Sequence, residues 1–214
     1  SRRGPAARAA PYSRPMDWLH EVALAAGLAW ASGIRLYATL LIAGAAAHFG
    51  WLELPPALTV LAHPAVMGAA GAMALGEFVA DKVPAFDSVW DAVHTFIRVP
   101  AGAFLAAAAL GQADPVWVAV AAILGGAIVS GTHLTKAGAR ALINASPGPF
   151  SNWSASIGED LAVPVGLLAA IKLPLLFLGA LAVFLVAAAW FLPKLVRAAL
   201  RLFRRTSRGA SAAP

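Results

Sequence analysis

The sequence predicts an all-α, polytopic membrane protein of about six spans, and three observations carry that prediction. Sixty per cent of the residues are hydrophobic and only 12% are charged, against about 25% charged in a soluble domain. The apolar residues fall into runs long enough to cross a bilayer, which takes roughly 20 residues each. The basic residues crowd into the tails: Arg2, Arg3, Arg8 and Arg14 at one end, Lys194, Arg197, Arg201, Arg204, Arg205 and Arg208 at the other. That leaves a basic N-terminal tail (1–15) expected to be disordered, a helical membrane domain (16–192) and a basic amphipathic C-terminal tail (193–214) expected to lie along the membrane surface. Basic tails around apolar spans put both termini in the cytoplasm by the positive-inside rule. Met16 offers an alternative start.

The first run, Trp18 to Trp51, is bounded by aromatic residues and interrupted by Ser32-Gly33-Ile34-Arg35. Two readings fit. Either a long tilted helix buries Arg35 against a carboxylate, or the helix breaks at Gly33 and exposes backbone and a cation to a cavity. In both, Arg35 needs an acidic partner, with Glu77 expected ahead of Glu159. Trp51-Leu52-Glu53-Leu54-Pro55-Pro56 carries no Lys or Arg and reads as a short outside turn. The second span covers about 57–80, with His63-Pro64 placed to kink it. Gly68, Ala72 and Gly76 form a small-residue face suited to close helix approach.

The stretch 76–100 holds Glu77, Asp81, Asp87 and Asp91 out of only 10 acidic residues. If 87–99 is helical, Asp87, Asp91, His94 and Arg98 fall within roughly 60° of one face. One reading makes this a wet juxtamembrane face with Trp90, Val93 and Ile97 in the interface. The other buries it, because the apolar run 101–110 is too short to span unless it joins 87–99 as one kinked segment; otherwise that run is re-entrant. Gly111-Gln112-Ala113-Asp114-Pro115 is another outside turn without basic residues, and the fourth span, about 116–135, ends with Ser130-Gly131-Thr132-His133, followed by Lys136 and Arg140 inside. Asn144 to Trp153 is a Pro/Gly/Ser-rich loop. The fifth run carries Glu159 and Asp160 and breaks at Lys172-Leu173-Pro174, and the sixth covers about 174–192. Ser32-Gly33-Ile34-Arg35 is echoed by Ser130-Gly131-Thr132-His133, and Gly76-Glu77 by Gly158-Glu159. These echoes raise a 3+3 inverted repeat of the kind found in secondary transporters.

The segments GEFVADKVPAFDSVWDAVHTFIRVPAGA, SGIRLY and SPGPFSNW, together with Glu159-Asp160, resemble an uncharacterised family of small bacterial integral membrane proteins, a domain of unknown function. The resemblance covers nearly all of 17–192. It implies a bacterial inner-membrane protein and supplies no catalytic or binding residue.

Function therefore has to come from the ionisable residues. The expected substrate-binding or ion-coupling set is Arg35, Glu77, Asp81, Asp87, Asp91, His94, Arg98, His133, Glu159 and Asp160. The reading it favours is a secondary transporter or lipid translocator for a small anionic or lipid-phosphate substrate. A membrane scaffold or assembly factor is the alternative. A metal-dependent lipid-phosphate enzyme using Asp87, Asp91 and His94 comes third, since no metal motif is complete and no G-x-S-x-G elbow occurs. No cofactor or bound metal is expected. Expected partners are membrane lipids, with a homodimer left open. Nucleic acid is excluded because aromatic residues do not interleave with the basic ones.

Overall fold

A computed structural model describes the backbone of residues 15–82, 84–144 and 149–210; within these, the side chains of 15–17, 84, 85, 87, 88, 144, 149–152, 195, 196 and 198–210 lie outside the description. The two extreme tails and residues 145–148 of the expected loop at 144–153 are thus outside the described residues, as is the Asp87 side chain; the backbone of 144 ends α4 and that of 149–153 opens α5. Among the described residues every regular element is helical: α1 Pro15–His48, a 3-10 segment Pro56–Ala62, α2 Pro64–Ala80, α3 Pro84–Ala109, α4 Pro115–Asn144, α5 Pro149–Lys172 and α6 Pro174–Ala210. Each α-helix opens on a proline, whose fixed φ suits the first helical position and whose missing N–H would be unpaired there anyway.

Five helices are long and apolar enough to cross a membrane, and a sixth crossing is counted if the bent pair Pro56–Ala62 and Pro64–Ala80 acts as one. The bend of 70° falls at His63-Pro64, where the His63 side chain accepts the Ala65 N–H and caps α2. α3 is the joined segment: it runs through Pro100 without interruption.

α1 is not one rod. Arg35 has extended backbone angles (φ −144°, ψ 93°) between two helical arms. A straight helix of this length would be about 51 Å long, so its two ends could not meet. Yet His20 and Glu21 line the same cavity as Trp51, Leu52, Glu53 and Pro55. The second arm also runs back along α2: Leu41 lies against Gly71, and a Cβ on Gly44 would strike the Leu61 carbonyl, while His48 reaches Ala62 O at 3.1 Å. The chain therefore descends to Arg35 and returns to the end it came from. The break expected at Gly33 falls two residues later.

This placement changes the topology. Trp18 lines one cavity with Leu110, Asp114 and Trp117, so the start of α1 shares an end of the bundle with the 51–56 and 110–114 turns. α6 runs from that end, with Phe177 near Gly27, toward the other, with Leu185 near Gly131. Trp18 and Leu185 thus lie toward opposite ends of the bundle, whereas the tails, whose extremes lie outside the described residues, were expected on one side. Trp18 and Val22 line a cavity with Trp117, Val120 and Ala121 near the start of α4, and Gly33 meets Thr132 further along it. The first arm of α1 and α4 thus run in the same direction, opposite to what an inverted repeat of spans one and four requires.

Close approach is built on small residues. A Cβ on Gly33 would sit 2.7 Å from the Thr132 Cβ, and one on Gly102 or Gly125 would collide with Val129 or Ala106. α1, α3 and α4 are consequently in near-backbone contact, around a core that includes Leu28, Leu36, Leu105, Val129 and Val163. The Gly68 face of α2 is different. Gly68 and Ala72 are exposed, and nothing lies within 4 Å of a Cβ on Gly68.

Candidate functional site

Helical periodicity puts Asp91, His94 and Arg98 on one face of α3, and the same 3-then-4 spacing puts His133, Lys136 and Arg140 on one face of α4. The two faces meet. Asp91, His94, Arg98, His133, Lys136 and Arg140 are all buried, as are Glu77 and Asp81 from α2 and Arg35 from the break in α1. α5 adds Ser156, fully buried, with Glu159 and Asp160 at the edge. Five carboxylates and four cations thus share one region, a density that is tolerable in an apolar setting only through mutual pairing.

Arg35 pairs with Asp81 at 2.8 Å and Asp160 at 2.7 Å, with Glu159 at 3.8 Å. It also donates to Ser156 Oγ at 2.9 Å. Glu77, the expected partner, instead pairs with Arg98, which also holds Asp91 at 3.0 Å. The sequence places Glu77 and Asp81 one turn apart on the same face, and it was Asp81 that came to Arg35. Arg140 grips Glu159 with two parallel bonds, Nε to Oε1 and NH2 to Oε2, both 2.9 Å, and reaches Asp81 Oδ2 at 3.4 Å. Lys136 lies between the groups, 3.6 Å from Asp81, 3.8 Å from Asp91 and 3.4 Å from Glu159.

The α1 break is held by the same residues. Ending the first arm frees backbone carbonyls that a bilayer cannot hydrate. Lys136 Nζ donates to Ile34 O at 3.1 Å. Around it, Ser32 Oγ donates to Leu28 O at 2.6 Å and Thr39 Oγ1 to Arg35 O at 2.7 Å.

The histidines take different parts. Arg98 NH1 lies 3.0 Å from His133 Nδ1. A guanidinium can only donate, so Nδ1 accepts and the proton sits on Nε2. Nε2–H then donates to Thr95 Oγ1 at 2.7 Å, and Thr95 donates to Asp91 O at 2.8 Å. His133 is therefore a neutral relay in this arrangement rather than a freely titrating group. His94 donates from Nδ1 to Trp90 O at 2.8 Å, stacks on the Trp90 ring at 4.1 Å and meets Tyr37 edge-on. Lys82, in the turn after α2, rests on the Phe78 ring at 3.0 Å; leaving water lowers its pKa from the ordinary lysine value.

Of the ten expected residues, nine gather here and Asp87 lies outside the described side chains. The wet-face reading of 87–98 is overturned for Asp91, His94 and Arg98, while Val93 and Ile97 do face outward. Lys136, Arg140, Ser156 and Thr95 were missed. The 133/136/140 spacing was the available signal for two of them. Among the described residues no three His, Asp or Glu side chains gather as metal ligands.

Comparison with known proteins adds a family. No curated protein and no solved structure matches the chain. A family model does match, over residues 22–194, which takes in the whole network and nearly every helix that builds it. The chain belongs to the family described as Domain of unknown function (DUF4126).

Proposed function

We propose that this protein is a proton-coupled secondary transporter for an anionic substrate, small or lipid-borne, in a bacterial inner membrane. The observation carrying the reading is the broken α1: a helix that folds back at an arginine and delivers it to buried carboxylates. Broken helices whose exposed backbone and charges meet at membrane depth are a recurring way to build a transport site. A purely structural pair would need neither the break nor so many charges, because replacing buried ion pairs by apolar residues is often stabilising.

In this reading Arg35 and Arg140 are the cations that meet substrate, and Glu159 and Asp160 cover them at rest. Protonation of those carboxylates weakens the cover. Glu77 and Asp81 lie deeper and complete the proton path; Glu77 Oε2 accepts no hydrogen bond, which leaves that oxygen available to a proton. The end carrying Lys82, Lys194 and Arg197 is assigned to the cytoplasm, since Lys and Arg favour that side. The described start of α1 then lies outside.

The test is purified protein in liposomes under an imposed pH gradient, with uptake of radiolabelled phosphate and dicarboxylates and flipping of labelled lipid phosphates measured. Gradient-driven uptake is expected, lost on Glu159→Gln. Uptake that persists unchanged in both Glu77→Gln and Glu159→Gln removes the mechanism. The scaffold reading rests on the exposed Gly68/Ala72 face of α2, which would seat a partner's helix. It predicts a stoichiometric membrane partner on purification and no uptake.

A further inference from the structure

The two halves of α5 are held by different forces. Its later half is anchored in the apolar core by Val163, Leu167 and Ala170, and a Cβ on Gly166 would collide with Trp30. From Trp153 to Leu161 no apolar side chain is buried: Trp153, Ile157 and Leu161 are all more than half exposed. Gly158 has nothing within 4 Å of its Cβ position. What ties this half down is polar or cationic, namely Ser156 and Asp160 on Arg35, Glu159 on Arg140 and Lys136, and the Trp153 ring 5.9 Å from the Lys82 ammonium. Pro164 lies inside the helix at the junction. Lacking an N–H, it cannot bond the Asp160 carbonyl, which weakens the helix there.

We infer that residues 153–161 are an ion-pair-latched gate hinged at Pro164, and that Glu159 and Asp160 occupy the place of a dianionic phosphate group. This rests on the transport reading and names its substrate class. Charge counting supports it. Arg35, Arg98, Lys136 and Arg140 face Glu77, Asp81, Asp91, Glu159 and Asp160, one negative charge in excess. Withdrawing the two α5 carboxylates leaves one positive charge in excess, and a dianion restores the original balance. The geometry agrees as well. The Arg140 fork already holds a carboxylate through two bonds of equal length, the mode guanidinium uses for carboxylate and phosphate alike. Arg35 and Lys136 lie on the same Glu159 oxygen at 3.8 and 3.4 Å. Three cations thus converge on one oxyanion position, now filled by the protein's own side chain.

The test measures binding, not transport. Full-length protein in nanodiscs of neutral lipid is titrated with radiolabelled inorganic phosphate at pH 8, with nitrate as a monoanion control. Wild type is expected to bind weakly, and Glu159→Gln/Asp160→Asn at least tenfold more tightly, with no gain for nitrate. Asp160→Asn alone, at the edge of the network, should shift binding the same way and serves if the double variant does not fold. Pro164→Ala keeps every charge and should slow phosphate association severalfold. Phosphate binding no tighter in either carboxylate variant, or an unchanged association rate in Pro164→Ala, overturns the gate. Repeating the titration in nanodiscs containing phosphatidic acid separates the sources: competition assigns the group to a lipid headgroup, and no competition to a free anion. Phosphate binding without any gradient-driven uptake would leave this site standing and remove the transport reading. Uptake of another anion without phosphate binding would do the reverse.

Discussion

Replacing Arg98 with methionine should be among the most damaging single changes in this chain, and the structure says why. Arg98 is fully buried and holds Glu77 and Asp91 together. Methionine fills similar volume and removes the charge. Asp91 keeps Lys136 at 3.8 Å, whereas Arg98 is the only cation within ion-pairing distance of Glu77 among the described residues. Glu77 therefore becomes an uncompensated buried charge, which costs about 3–5 kcal/mol. Adding Glu77→Gln removes that charge and should recover roughly 1–3 kcal/mol, the usual range for coupled neighbours. Asp91→Asn in the same background should recover less, because Asp91 retains a cation. The assay is reversible unfolding in mixed micelles with increasing SDS, as a double-mutant cycle. The cycle that settles the pairing substitutes Arg35→Met with Glu77→Gln: the two share one charge network, so some coupling is expected, but it should be clearly smaller than that between Arg98→Met and Glu77→Gln. Strong coupling of Glu77 to Arg35, and none to Arg98, would refute the assignment.

Further outcomes follow from the same geometry. Gly102→Ala drives a methyl into Val129 and should cost about 1–3 kcal/mol, while Gly68→Ala, facing open space, should be neutral or slightly stabilising in the same unfolding assay. Nitrogen NMR of selectively labelled protein at pH 7 should show His133 as the Nε2–H tautomer, and Arg98→Met should release that preference; a protonated His133 in the wild type would contradict the relay. Lys136→Met removes the donor to Ile34 O and should lower stability by more than Lys194→Met, whose ammonium lies over the Trp190 ring at the end of the apolar part of α6. A thermal-unfolding comparison of those two variants checks it.

Much of the fold was legible because apolar run length and proline position carry it. The joining of 87–99 with 101–110 followed from the shortness of the second run, and the bend at His63-Pro64 from the missing N–H. The fold-back of α1 was not legible. Hydropathy continues on both sides of Arg35, so whether straight or broken at Gly33 the run reads as a single span. The reversal shows only in three dimensions, in the extended backbone of Arg35, the cavity shared by His20 and Trp51, and the packing of the second arm along α2. That one element puts Trp18, near the described start of α1, at the end of the bundle that holds the 51–56 and 110–114 turns. Within the site, residue types and faces were legible, but partners were not. Glu77 and Asp81 lie on consecutive turns, and which one meets Arg35 depends on how far α2 descends. Lys136 and Arg140 were read as topology markers because basic residues near a helix end usually serve that purpose, although their spacing with His133 matched Asp91, His94 and Arg98.

The distance between the two ends of α1 tests the account most directly, since both the site and the topology depend on the reversal at Arg35. The chain has no cysteine, so spin labels can be placed cleanly at His20 and Trp51 and read by pulsed electron resonance in nanodiscs. A folded-back helix places these labels across one cavity and predicts a separation well under half the straight-helix value. A straight α1 would hold residues 20 and 48 about 42 Å apart; a distribution centred there would contradict the account.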